Sequence, residues 1–197
     1  MSVLVVQAPT SALFEWAGEC PAGCRYNTEW TAVRDARAWP GPHPEATWTG
    51  AGSPAFTIAP GESVRTLTGT VYTLERGTAR MHQDFSTDAS LPSFSPSHKR
   101  LITFRADEVV QLLLARGEGV WRIWRDGQVI DANLYTVMED AACKTASSRC
   151  AGAIDTKPVT RWWVMVMNAQ KQVGWVEQVE GNTGYDAGPL RPIQERP

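Results

Sequence analysis

Four cysteines are the residues of this chain best suited to chemistry, and they fall as Cys20-x3-Cys24 and Cys143-x6-Cys150. Such a set can ligate zinc, supply a nucleophile or form disulfides. Structural zinc prefers a Cys-x2-Cys knuckle with further ligands close by, and neither pair has that spacing. A cysteine nucleophile needs a histidine base. The three histidines, His43, His82 and His98, are scattered through loop-like stretches, none at a metal-ligand spacing from a Cys, Asp or Glu. His82-Gln83-Asp84 is the nearest approach to an acid–base pair. Gly117-Glu118-Gly119 lacks the lysine and the following helix of a phosphate-cradling loop. The expectation is a protein that is not an enzyme, with no catalytic residue, metal or cofactor.

Disulfides fit the cysteines best, with zinc and free buried thiols as the alternatives. The first pair brackets Pro21-Ala22-Gly23 and the second brackets residues 144–149, both loop compositions that close into small rings without distorting a strand. Of the three possible connectivities the two local ones are favoured, each stabilising by about 2–3 kcal/mol through loop entropy. Disulfides imply an oxidising compartment, so a periplasmic or secreted protein is expected, its leader absent from this sequence. Val3–Val6 is too short an apolar run to be that leader. No stretch approaches the roughly 20 apolar residues that span a bilayer. A net charge of -2 and a pI near 5.9 argue against nucleic acid, whose binders show a basic face.

The elements that must position these residues are strands. Nine tryptophans lie mostly among β-branched residues, in short runs broken by Gly, Asp and Asn. Strands are expected at Trp30–Arg34, Phe56–Ile58, Ser63–Leu74, Leu101–Phe104 and Val109–Leu114, with a bulge or bend near Gly69. Gly117 and Gly119 end the Val109–Leu114 run too soon for a helix. Asp126-Gly127 predicts a hairpin between Trp121–Trp124 and Gln128–Ile130, and a second hairpin joins Trp162–Met167 to Gln172–Val176. Trp39-Pro40-Gly41-Pro42-His43-Pro44 reads as an exposed extended loop.

The order of these pieces resembles bacterial SH3-like domains. Thr31–Pro42 matches their first strand and Gly-Pro loop, and Pro60-Gly61-Glu62-Ser63-Val64 their turn into a Val-rich strand. Trp163-Val164-Met165-Val166 with Val173-Gly174-Trp175-Val176 matches the closing hairpin. Glu19-Cys20-Pro21 before Tyr26 and Trp30, with Gly119-Val120-Trp121-Arg122, is similar to uncharacterised exported gammaproteobacterial proteins of that fold. The resemblance implies an all-β protein of small antiparallel barrels, either in tandem or as one barrel elaborated by insertions. The expected division is an arm over 1–29, a unit over 30–104 with an insertion at 76–100, a unit over 105–180 with an insertion at 131–158, and a loose tail over 181–197.

Such barrels grip extended chains between aromatics and a charged loop. Trp39 and Trp48 would rim the groove, and Trp124 with Asp126 at the hairpin tip would complete it. Trp121 and Trp124 face opposite sides of their strand, as do Trp162 and Trp163, so each pair offers one ring to the core and one to the surface or to a covering segment. Arg122 and Arg125 read as a solvated hairpin edge able to stack on these rings. The expected role is recognition of a peptide or peptidoglycan fragment in the envelope. The alternatives are a scaffold or inhibitor that meets an envelope protein and, less strongly, a cell-wall-acting enzyme.

Overall fold

The computed structural model describes residues 14–20, 24–43, 52–92, 99–138, 143, 150–178 and 188–193. In chain order the strands are β1 (Phe14–Ala17), β2 (Glu29–Ala32), β3 (Ala36–Ala38), β4 (Phe56–Ile58), β5 (Ser63–Glu75), β6 (Gly77–Met81), β7 (Phe85–Ser90) and β8 (Arg100–Phe104). They continue as β9 (Val109–Gly117), β10 (Val120–Arg125), β11 (Gln128–Asn133), β12 (Val137–Met138), β13 (Gly152–Thr156), β14 (Val159–Met167), β15 (Val173–Gln178) and β16 (Leu190–Pro192). The fold is all-β, and among the described residues every strand pairing is antiparallel except the parallel β12–β13 contact.

One sheet runs β15-β14-β5-β2-β16, with β1 also on β5. A second runs β12-β13-β6-β9-β10-β11-β7-β8, and β3–β4 form a small ribbon of their own. The second sheet is built wholly from residues 77–156, nested between the two halves of the first. Strand pairing therefore does not follow the expected succession of a 30–104 unit and a 105–180 unit. The reason is β14, which returns across residue 104 to pair along β5 from Arg65 to Glu75. The expected insertions at 76–100 and 131–158 contribute β6, β7, β12 and β13 to the second sheet, and the expected tail contributes β16 to the first.

The two chain crossings between the sheets touch. Gly77 follows β5 so closely against the return segment that a Cβ there would lie 2.5 Å from the Pro158 nitrogen and 2.6 Å from the Lys157 carbonyl carbon. All eight strands of the second sheet supply side chains to one core that includes Met81, Phe104, Leu112, Ile123, Ile130 and Ile154. The first sheet is buried on both faces. Trp30, Val64, Val71, Trp162, Val164 and Val176 pack under β3–β4 on one side, and Tyr72, Leu74 and Trp163 pack with Trp39 on the other. Alternation along β14 thus buries both Trp162 and Trp163, at 2% and 0% exposure.

Turn chemistry matches the local sequence. Asp126 (φ 50°) and Gly127 (φ 79°) both take left-handed backbone between Arg125 and Gln128, the geometry of a two-residue type I′ hairpin. Opposite β14, the register slips between Thr66 and Thr68, leaving Leu67 as the extra residue, two positions before Gly69. A second bulge leaves Leu113 without a ladder partner on β10. Its carbonyl accepts instead from the buried Thr73 hydroxyl at 2.7 Å, which ties the second sheet to β5 of the first.

Candidate binding cleft and the clasp beside it

The N-terminal segment builds the site. β1 and β2 lie end to end on the same side of β5, β1 opposite Thr70–Thr73 and β2 opposite Ser63–Arg65. Between them the chain leaves the edge where the Gly18 N–H donates to the Gly69 carbonyl (2.7 Å). It rejoins where the Asn27 N–H donates to the Thr66 carbonyl (2.8 Å). The Cys20–Cys24 disulfide closes this excursion, and Cys143–Cys150 closes the other local ring. Both favoured local pairings are present, and two disulfides imply an oxidising environment for the folded chain.

Residues flanking the first ring grip both sheets. The Tyr26 hydroxyl donates to the Glu19 carbonyl and accepts from the Trp162 indole N–H at 3.1 Å. Burial, with the nearby Glu19 charge, outweighs the Trp162 bond and pushes the Tyr26 phenol up to about 12. Gly69 is required beneath it, since a Cβ there would fall on the Tyr26 ring. The Glu19 carboxylate accepts from Arg122 Nη1 at 2.8 Å and faces Arg116 at 3.3 Å. Arg122 also forks onto Asp131, Nε to Oδ1 at 2.8 Å and Nη2 to Oδ2 at 3.1 Å, and Arg116 meets Asp131 at 2.7 Å.

Arg122 is therefore not a solvated hairpin edge. Its side chain is 2% exposed, with Cζ 4.7 Å over the Trp16 ring. Desolvation works against its charge, but Asp131 and Glu19 outweigh that and raise the guanidinium above its ordinary value. The two arginines and two carboxylates balance, so the cluster fastens rather than attracts.

Beside this clasp opens a cleft of about 580 Å³, within the range of ligand pockets. Cys24, Arg25 and Asn27–Trp30 form one wall, and Pro192 with the half-exposed Ile193 forms the other. The walls are joined by the Ile193 N–H donating to the Glu29 carbonyl at 3.1 Å. Thr28 braces the first wall, its hydroxyl donating to the Arg25 carbonyl and accepting from the Trp30 indole.

The anticipated contact residues do not converge there. Trp39 does not rim a groove: it is 6% exposed, packs with Tyr72, Leu74 and Trp163, and exchanges both backbone hydrogen bonds with Trp175. A tryptophan following the alternating β3 is carried around the edge of β15 and caps it. Trp48 lies outside the described residues. Trp124 is half-buried, its ring 6.1 Å from Phe14 and 5.7 Å from the Arg76 guanidinium, so the N-terminal strand covers it. Asp126 is exposed at the hairpin tip, its carboxylate 3.7 Å from Arg125. Arg125 itself pairs with Glu108 at 2.7 Å and stacks 4.6 Å over Phe104.

His82 Nε2 lies 2.7 Å from the Cys143 carbonyl, and the His43 carbonyl accepts from the Trp163 indole at 3.0 Å, while His98 lies outside the described residues. Among the described residues no three of His, Cys, Asp and Glu gather where a metal ion would sit, and no helix is long and apolar enough to cross a membrane. The cleft escaped sequence reasoning because its far wall belongs to the supposed tail. The signal was present there: Leu190 and Ile193 are the only branched aliphatic residues after position 180. Comparison with known protein families, with curated proteins and with solved structures finds no match.

Proposed function

We propose that the chain is a non-catalytic binding module of the bacterial envelope, of the SH3-like kind, and that it grips a peptide or peptidoglycan fragment in the cleft between Trp30 and Ile193. The observation that carries this reading is the composition of the cleft. Pro192 and Ile193 supply apolar surface over the buried Trp30, while Arg25, Asn27, Thr28 and Glu29 supply hydrogen-bonding groups of both signs. Recognition sites for extended polar chains combine these two kinds of surface. Cys24 is held in a disulfide, so it brings no thiolate to the wall. The two disulfides support an exported, periplasmic or secreted location.

The test is co-sedimentation with purified peptidoglycan sacculi. The wild-type protein is retained, and Arg25→Ala and Ile193→Ser each weaken retention by about tenfold, equivalent to about 1.4 kcal/mol, with an unchanged melting temperature. Failure of the wild-type protein to sediment overturns the reading. A second reading, a scaffold for an envelope protein, draws on Leu101 and Tyr135, which stand 72% and 68% exposed. Capture of one envelope protein, abolished by Leu101→Asp but not by Ile193→Ser, would favour it.

A further inference from the structure

We propose that Cys20–Cys24 is a thiol–disulfide exchange site whose co-substrate is a dithiol reductant, and that its reduction releases the clasp that Glu19 and Tyr26 make at the seam between the sheets. The two disulfides are unequally placed. Cys143 and Cys150 are 2% and 4% exposed, beyond the reach of an attacking thiolate. Cys20 and Cys24 are only partly buried at the edge of the first core, and Cys24 forms part of the cleft wall. Exchange requires the attacking sulfur to approach along the disulfide axis, so access selects the first pair.

The same pair holds the groups that fasten the clasp. Glu19 precedes Cys20 and grips Arg122 and Arg116 of the second sheet. Tyr26 follows Cys24 by two residues and meets Trp162 of the first sheet. The ring keeps them close enough for the Tyr26 hydroxyl to reach the Glu19 carbonyl. At its roots the excursion is tied to β5 by the backbone bonds from Gly18 and Asn27. With the ring open, Glu19 and Tyr26 no longer share one rigid frame, and each grip must bear its own ordering entropy.

The chemistry balances. A donor thiolate attacks one of the two sulfurs, forming a mixed disulfide and expelling the other as a thiolate that takes a proton from water. The donor's second thiol, as its thiolate, displaces the first cysteine, so the donor leaves oxidised and two electrons with two protons remain on Cys20 and Cys24.

The test titrates the folded wild-type protein with dithiothreitol, traps free thiols by alkylation and maps them by mass spectrometry. In parallel, hydrogen exchange follows the Gly18 and Asn27 amides. Cys20–Cys24 opens at a reductant concentration about tenfold lower than Cys143–Cys150, and exchange at both amides rises about tenfold as it opens. A Cys20→Ser/Cys24→Ser variant shows the same fast exchange without reductant. Opening of both pairs together, opening of Cys143–Cys150 first, or unchanged exchange once Cys20–Cys24 is reduced would overturn the proposal. So would failure of the double variant to fold, because a reversible clasp must be dispensable for the fold. None of these readouts uses sacculi, so the outcome is independent of what the cleft binds.

Discussion

The guanidinium of Arg122, on β10 of the second sheet, lies 4.7 Å over the indole of Trp16, on β1 of the first. One face of the guanidinium is occupied by the ring, and its edge is occupied by Asp131 and Glu19. The Trp16 N–H in turn donates at 2.9 Å to the Thr73 hydroxyl, which donates to the bulged Leu113 carbonyl. A charged group has thereby become part of the packing between two sheets. Its cost of desolvation is met by two carboxylates and an aromatic face.

Arg122→Ala therefore destabilises the protein by about 3–5 kcal/mol, because it strands Asp131 and Glu19 at the seam with Arg116 as their remaining partner. Arg122→Lys keeps the charge but loses the fork onto Asp131, and recovers less than half of that loss. Urea unfolding at neutral pH measures both. A change within the range of an exposed ion pair, below about 1 kcal/mol, would show that the cluster is not what joins the sheets.

Local elements were legible in the sequence, and their assembly was not. Phe56–Ile58 and the Asp126-Gly127 hairpin follow from period-2 alternation and turn chemistry, which act within a few residues. Pairing of Val71 with Trp162 spans nearly half of the chain, and no local pattern encodes it. Alternation correctly separates Trp121 from Trp124 but does not say what covers each face. Phe14 and Arg76 cover Trp124, and both come from outside its hairpin. The burial of Arg122 is hidden from local pattern for the same reason, since its carboxylate partner Glu19 lies 103 residues away.

The raised phenol of Tyr26 makes stability fall at high pH. The unfolded chain releases this proton near the ordinary value of 10.0, while the folded chain holds it to about 12. Between these values the folded state binds more protons than the unfolded one, so stability declines as pH rises through the window and the contribution is complete below it. Tyr26→Phe lacks the titration. Its stability deficit against wild type, measured by urea unfolding, is expected to shrink from pH 10 to pH 12. A constant difference across that range would place the phenol in water.

Trp39 distinguishes a binding role from a packing one. A ring-rimmed groove predicts that Trp39→Ala weakens binding with little loss of stability. Its 6% exposure among Tyr72, Leu74 and Trp163 predicts the opposite. The expected loss is about 3–5 kcal/mol, as for other buried aromatic truncations. Thermal unfolding reads it directly, and a melting temperature within about 2 °C of wild type would return Trp39 to the surface.

Gly77 tests whether the two crossings between sheets are packed as tightly as they stand. The position lies on β6, where its backbone needs no unusual φ, so conformational freedom does not explain the glycine. The atoms that a Cβ would meet belong to the backbone of Thr156, Lys157 and Pro158, which cannot swing aside as a side chain would. Gly77→Ala must push the return segment away from the start of β6, at the point where Thr78 also bonds the Thr156 hydroxyl at 3.0 Å. The expected cost is about 3 kcal/mol, at the upper end for adding a single carbon to a packed site. Gly127→Ala, at the open tip of the β10–β11 hairpin, meets no neighbour and pays only for its left-handed backbone, about 1 kcal/mol. Chemical denaturation of the two variants side by side decides the point: equal losses would mean that the crossings are loosely packed and that the sheets are held together elsewhere.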